Sequence, residues 1–264
     1  MCCTFAFLYG AAIYIHAYLL PLYFQGVRGT SAAGSSISCL PFDIPLTLFS
    51  VLYGITATRT GHFIPFIWVG SILYVVGSVL LSQLSPQSST LIWAGYQIVC
   101  GIGIGLSVQV PYIAMQVVLP QRDTPTACSM EIFFGDLGGA IGLNVAQNIL
   151  RTYLRDGLTD GSTPVLPGLS SSAGSVTNEG ILDLVKASRK LSKDMQALFA
   201  KIMNGAITRA FVLPIVAACL AAMVSWGLER RYIEDDRETE GYKEVPGYEL
   251  EDRADSPGPE PIDS

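Results

Sequence analysis

Four titratable side chains stand inside long apolar runs: His16, Asp43, Glu131 and Asp136. Ionisable groups in such a setting are rare unless they face protein or a water-filled cavity, and there they bind polar solutes or relay protons. Glu131 and Asp136 are five residues apart, about 140° around a helix, so one site cannot readily use both. Glu131 is near the start of its run, where it can snorkel or cap. Asp136 is deeper and lies between Gly135 and Gly138. It is the better candidate to take up and release a proton, since a carboxylate held away from water without a partner tends to be neutralised. Asp43, about a third of the way into its own run, is its rival. His16 belongs to the one side-chain type that titrates near neutrality when unperturbed, although a single buried histidine more often serves as a hydrogen-bonded spacer.

Amides form a second group. Gln109 and Gln116 are seven residues apart and share one helical face, with Gln97 a third of a turn away. Together with Asn144 and Tyr18 they are candidates to line a cavity and hydrogen-bond a solute, and bonding between helices is the competing use. Gly101 and Gly105, Gly135 and Gly139, and Gly138 and Gly142 each make a face of two small residues four apart. Such faces let helix backbones approach closely, whether for static packing or for helices that rock against each other.

The elements that must carry these residues follow from composition. Half of the 264 residues are hydrophobic and 14 % are charged. The mean hydropathy is +0.42, against about 25 % charge in an ordinary soluble domain. The first lysine is Lys186. Six apolar runs approach the roughly 20 residues that a bilayer crossing needs, at about 3–24, 37–56, 63–84, 91–119, 131–150 and 210–228. The expectation is an all-α, multi-pass membrane protein, with a six-helix unit over residues 1–230. The run 37–56 contains Pro41, Asp43 and Pro45 and needs neighbours to be stable in lipid, as does the run containing Glu131 and Asp136. The run 91–119 is too long for one straight, upright crossing, and must tilt, kink at Pro111 or project from the bilayer.

An even number of crossings puts both ends on one side. The short connections on that side carry Arg59, Arg122, Arg230 and Arg231, against Arg28 on the other, so the ends are expected to be cytosolic. Residues 151–209 then form an outer segment, flexible at first. It is followed by an amphipathic helix whose apolar face includes Ile181, Leu184, Val185, Leu198, Phe199 and Ile202. That helix either lies along the membrane surface or packs on the protein's own outer loops. The tail 231–264 is acidic, bears Pro and Gly, and is expected to be disordered. From Glu229 onward the net charge is −8, which accounts for the overall −6.

The six cysteines form no close CxxC set, so neither structural zinc nor a disulfide framework is expected. The sequence has no HExxH, no GxSxG and no acid pair at metal spacing. No enzymatic activity, metal or cofactor is expected, and the acidic tail offers nothing to nucleic acid.

Three blocks resemble the C-terminal half of a fungal major facilitator superfamily transporter, in the fourteen-helix drug:proton antiporter group of multidrug and mycotoxin pumps. They are AYLLPLYFQGVRGTSAAGSSISCLP at 17–41, YGITATRTGHFIPFIWVGSIL at 53–73, and WAGYQIVCGIGIGLSVQVPYIAMQVVLPQRDTP with EIFFGDLGGAIGLNVAQNIL beyond it. The resemblance implies efflux of small amphipathic compounds in exchange for protons, at the plasma membrane or alternatively the vacuole. It also implies a cytoplasmic loop latch, of which Gly54, Arg59 and Gly61 match, while Thr58 stands where the family has an acid. Asp136 stands where the family pattern has a small polar residue. The resemblance covers one half of the family's two-half fold. A truncated product is therefore expected, with a half-transporter that pairs with a second chain as the rival. A non-transporting membrane scaffold or regulatory fragment is the alternative function.

Overall fold

In the computed structural model the described residues are 1–60, 64–159, 178–189 and 192–227. They form nine helices: α1 (Cys2–Gly26), α2 (Ala32–Thr60), α3 (Ile64–Ser82), α4 (Thr90–Ser107), α5 (Val110–Val118), α6 (Thr124–Thr159), α7 (Asn178–Ser188), α8 (Lys193–Ala210) and α9 (Val212–Ser225). No strand occurs among the described residues. Among the described residues five helical stretches are long and apolar enough to cross a bilayer: α1, the first 26 residues of α2, α3 from Pro65, α4 with α5 to Gln116, and α8 with α9. The expected crossing at 131–150 is not among them. It lies within the 36-residue α6, where Glu131, Asp136, four glycines and three amides dilute the apolar content. Among the described residues five crossings are therefore marked by composition, and α6, the sixth expected, is not.

Prolines set the breaks. Pro111 has no N–H to give the carbonyl of Ser107, and its ring crowds that turn; α4 ends at Ser107 and α5 starts at Val110. Pro214 stands in the same relation to Ala210, where α8 ends, with Phe211 alone separating it from α9. The kink in 91–119 is thus a helix break two residues ahead of the proline. Pro125 falls in the first turn of α6, a position that tolerates a missing donor. This starts the helix seven residues earlier than the apolar run suggested. α6 also continues to Thr159, so residues 151–159, expected as loop, are helical. The amphipathic helix expected across 181–202 is two helices, α7 and α8.

α1 is the hub. It packs along α6 and also against α9 and α2, burying Ile15, Leu19, Leu20, Tyr23 and Phe24 almost completely. A helix apolar on every side is expected to be enclosed. α4 is held between α2 and α3, while α9 bridges α1 and α3. α8 covers the far part of α6, and its Phe199, Met203, Ala206 and Ile207 are buried. The amphipathic stretch therefore packs on the protein itself.

Glycines allow these approaches. A Cβ at Gly105 would lie 2.5 Å from the Leu46 carbonyl oxygen of α2, and one at Gly77 of α3 would lie 2.5 Å from the Cys100 Cα of α4. Gly138 meets the Phe7 backbone and Gly142 meets Ala11, both on α1. The small-residue faces are thus close helix–helix contacts. The link between α1 and α2 turns at Gly29, with φ +67, and Thr30 reaches back through both its N–H (3.1 Å) and its hydroxyl (2.9 Å) to the Phe24 carbonyl.

The surface is apolar to a degree no soluble chain of this size sustains. Ile37, Leu40, Ile44, Leu48, Val51 and Ile55 of α2 are exposed, as are Val69, Ile72, Val76 and Val79 of α3. Helices satisfy their own backbone groups, so such a surface is stable in hydrocarbon. The protein is a multi-pass membrane protein.

Candidate functional site

Two polar groupings emerge, one buried and one exposed. In the buried grouping, the Tyr9 hydroxyl of α1 meets the Ser107 hydroxyl of α4, and Ser107 donates to the Gly103 carbonyl at 2.7 Å. The Tyr9 ring stands edge-on to Tyr74 of α3 with centroids 5.0 Å apart. His16, two turns along the same face of α1, has its Nδ1 2.9 Å from the Ala12 carbonyl and 3.1 Å from the Tyr74 hydroxyl. A carbonyl only accepts, so Nδ1 carries the proton. Nε2 is then the acceptor nitrogen, and it has no partner among the described residues. Phe211, at the α8–α9 break, closes the other side of the ring at 5.5 Å. His16 is completely buried and ties α1 to α3 while packing on the break.

The exposed grouping runs along α6. Asp136, Asn144, Asn148 and Thr152 are exposed on a helix that also exposes Phe133, Leu137, Ile141 and Val145. Polar and apolar tracks therefore lie side by side. Asp136 is not the buried, partnerless carboxylate the sequence suggested: Oδ1 accepts from the Tyr14 hydroxyl of α1 at 2.8 Å. The reason is the glycine face beside it. Gly138 and Gly139 turn toward α1, which points the residue between the glycine pairs away from the bundle. Asn144 donates to the Ala140 carbonyl of its own helix at 2.8 Å.

The remaining expected residues are scattered. Asp43 is exposed on α2, among its uncovered apolar residues, and Glu131 is half-buried near the start of α6. Gln109, at the α4–α5 break, and Gln116 are both exposed. Gln97 is completely buried, on the other side of the α4–α5 break from that pair. Neither amide atom of Gln97 has a partner among the described residues. Tyr18 is half-buried against the core. Of the latch residues, Arg59 is exposed near the end of α2, Gly54 has open space around it, and Gly61 lies outside the described residues. The acidic tail lies outside them too. Among the described residues no three metal-ligating side chains gather.

Tyr9, Tyr14 and Ser107 were not singled out by sequence reasoning. Their signal was faint: a tyrosine is common in apolar helices, and Ser107 closes a glycine-rich run in which the glycines draw attention.

No family model matches the chain. Among curated proteins, the MFS-type transporter ltbE of Aspergillus luteorubrus is 34 % identical over 235 residues, covering 89 % of this chain and 41 % of that protein. The efflux pump roqT of Penicillium rubens is 32 % identical over 89 % of this chain and 42 % of its own length. The chain is homologous to fungal MFS-type efflux transporters. The MFS acetylaranotin efflux transporter ataA of Aspergillus terreus is 30 % identical over 86 % of this chain and 49 % of that protein. The chain thus spans less than half the length of these relatives.

Proposed function

We propose that the chain is the solute-handling half of an efflux transporter, moving small amphipathic organic compounds out of the cytosol in exchange for protons, with its other half supplied by further sequence or by a second chain. One observation supports this above the rest. The polar track of Asp136, Asn144 and Asn148 lies exposed on a surface otherwise suited to lipid. A carboxylate and amides facing hydrocarbon are costly, so that face belongs against protein or a water-filled cavity. Asp136, held by Tyr14, is the proton carrier in this reading. Gln109, Gln116 and Asn144 contact solute, and the apolar track beside them receives its flat, greasy part. No covalent chemistry is required: proton and solute bias the same two-state equilibrium between inward- and outward-open forms. The plasma membrane is the proposed location, with a cytosolic tail.

The test uses inside-out vesicles carrying either the chain alone or the chain fused behind the preceding part of roqT. The fusion should accumulate a fluorescent hydrophobic cation, and collapsing the pH gradient should abolish the uptake. The chain alone should be inactive. Uptake indifferent to the gradient contradicts proton exchange, and gradient-driven uptake by the chain alone contradicts the need for a second half. If the chain binds no solute in either form, the scaffold reading takes its place.

A further inference from the structure

The track on α6 does not account for a second feature, a cleft of about 530 Å³ between the far part of α6 and α8. Tyr153, Asp156 and Gly157 line it from α6, and Lys201, Gly205 and Arg209 from α8. On α8 the three lining residues are four apart, so they make one stripe, with a cation at each end and open space around Gly205 between them. α6 and α8 converge at one edge, where a Cβ on Gly157 would lie 2.7 Å from Ile202. The Arg209 guanidinium is set 4.2 Å over the Tyr153 ring, which orients its N–H fork before anything binds.

The cleft's depth matters. Met203 sits against Gly26, the last residue of α1. Arg209 is six residues further along α8, about 9 Å deeper at 1.5 Å per residue. An arginine exposed at that level of a membrane protein draws its charge toward a headgroup or a counter-ion. Two cations and one acid give the lining a net charge of +1. That balance suits a singly charged anion, and Asp156 disfavours a doubly charged one.

We infer that this cleft binds a phosphodiester monoanion, held between Lys201 and Arg209 as basic pockets between membrane helices hold headgroups. The inference rests on the membrane reading and goes beyond the transport proposal. Two sources share the chemistry: a phospholipid headgroup, and a soluble glycerophosphodiester.

Thermal unfolding of the full 264-residue chain in detergent, read by tryptophan emission, distinguishes them. The probes are a short-chain phosphatidylethanolamine, its deacylated counterpart glycerophosphoethanolamine, and a diacylglycerol of the same chain length. The phospholipid should raise the midpoint saturably, and the diacylglycerol should not. The Lys201→Gln/Arg209→Gln double variant should weaken the apparent affinity by about tenfold or more, through loss of charge-assisted bonds. An equal shift with the deacylated compound keeps the site and assigns it a soluble occupant. Should the double variant unfold in detergent, Lys201→Glu alone, at an exposed position, carries the comparison. Equal shifts from phospholipid and diacylglycerol, no shift from either phosphodiester, or undiminished affinity in the variants each overturn the inference. Because binding is the readout, none of these outcomes touches the export proposal.

Discussion

Replacing Gly105 by alanine tests the close packing of α4 on α2. An added Cβ would lie 2.5 Å from the Leu46 carbonyl oxygen and 2.9 Å from the Phe49 Cβ. Both neighbours belong to a helix and cannot swing aside like the end of a long side chain, so α2 or α4 must shift. Overpacking of this kind costs about 1–3 kcal/mol. Alanine also favours the helix over glycine by about 1 kcal/mol, which would mask part of the loss. Gly95, on the same helix, has nothing within 4 Å of its would-be Cβ. Gly95→Ala gains the same propensity without the clash, so the difference between the two variants isolates the packing. Gly105→Ala should be less stable than Gly95→Ala by about 1–3 kcal/mol, or roughly 5- to 150-fold in the folded-to-unfolded ratio. Reversible unfolding of each variant in mixed micelles with rising dodecyl sulfate, followed by tryptophan emission, reads this directly. If Gly105→Ala matches Gly95→Ala, the glycine does not mark a close approach and the α2–α4 packing is wrong.

Other substitutions address the two polar groupings. Asp136→Asn should remove gradient-driven uptake by the fused transporter while leaving membrane insertion intact, and normal uptake with normal pH dependence would exclude the carboxylate as proton carrier. Tyr14→Phe removes only the 2.8 Å donor to Asp136; it should weaken uptake without abolishing gradient dependence, and complete loss would give Tyr14 a role of its own. Tyr9→Phe takes one partner from Ser107, which keeps its 2.7 Å bond to Gly103. The loss of stability in the same micelle titration should be about 1 kcal/mol; a loss several times larger would show that the hydroxyl pair organises more than one contact.

How much of this was legible in the sequence depended on the physical signal each feature left. α1 and α3 lie within two residues of their expected limits at each end, because uninterrupted apolar runs are the strongest mark a membrane helix makes. A kink at Pro111 was one of three ways to fit the long run 91–119, and the helix ends at Ser107 and Val110 decide for a break there. α6 was misjudged at both ends: hydropathy falls off long before the helix stops, and a proline in the first turn is a start signal that apolarity does not register. The glycine faces were recognised, but sequence alone could not say whether they packed or slid, and their packing decided where Asp136 points. Asp136 was expected in the interior because depth along a run was read as burial. Depth and facing are independent, and only the neighbours of Gly138 and Gly139 fix the facing. His16 was a candidate for proton coupling with a bonded spacer as the competing use, and nothing in the chain indicated Tyr74 as its partner, 58 residues away.

The measurement that reaches furthest is topology mapping by single cysteines, introduced in turn at Thr60, Gln87, Ser170 and Glu240 in a cysteine-free background and labelled with a membrane-impermeant maleimide in intact cells. With six crossings and cytosolic ends, Gln87→Cys and Ser170→Cys label from outside, while Thr60→Cys and Glu240→Cys label only after permeabilisation. If Gln87→Cys and Ser170→Cys label from opposite sides, α6 or the α4–α5 stretch does not cross; if all four label from the same side, neither α3 nor the α8–α9 stretch does; after either result neither the arrangement in lipid nor the transport proposal survives.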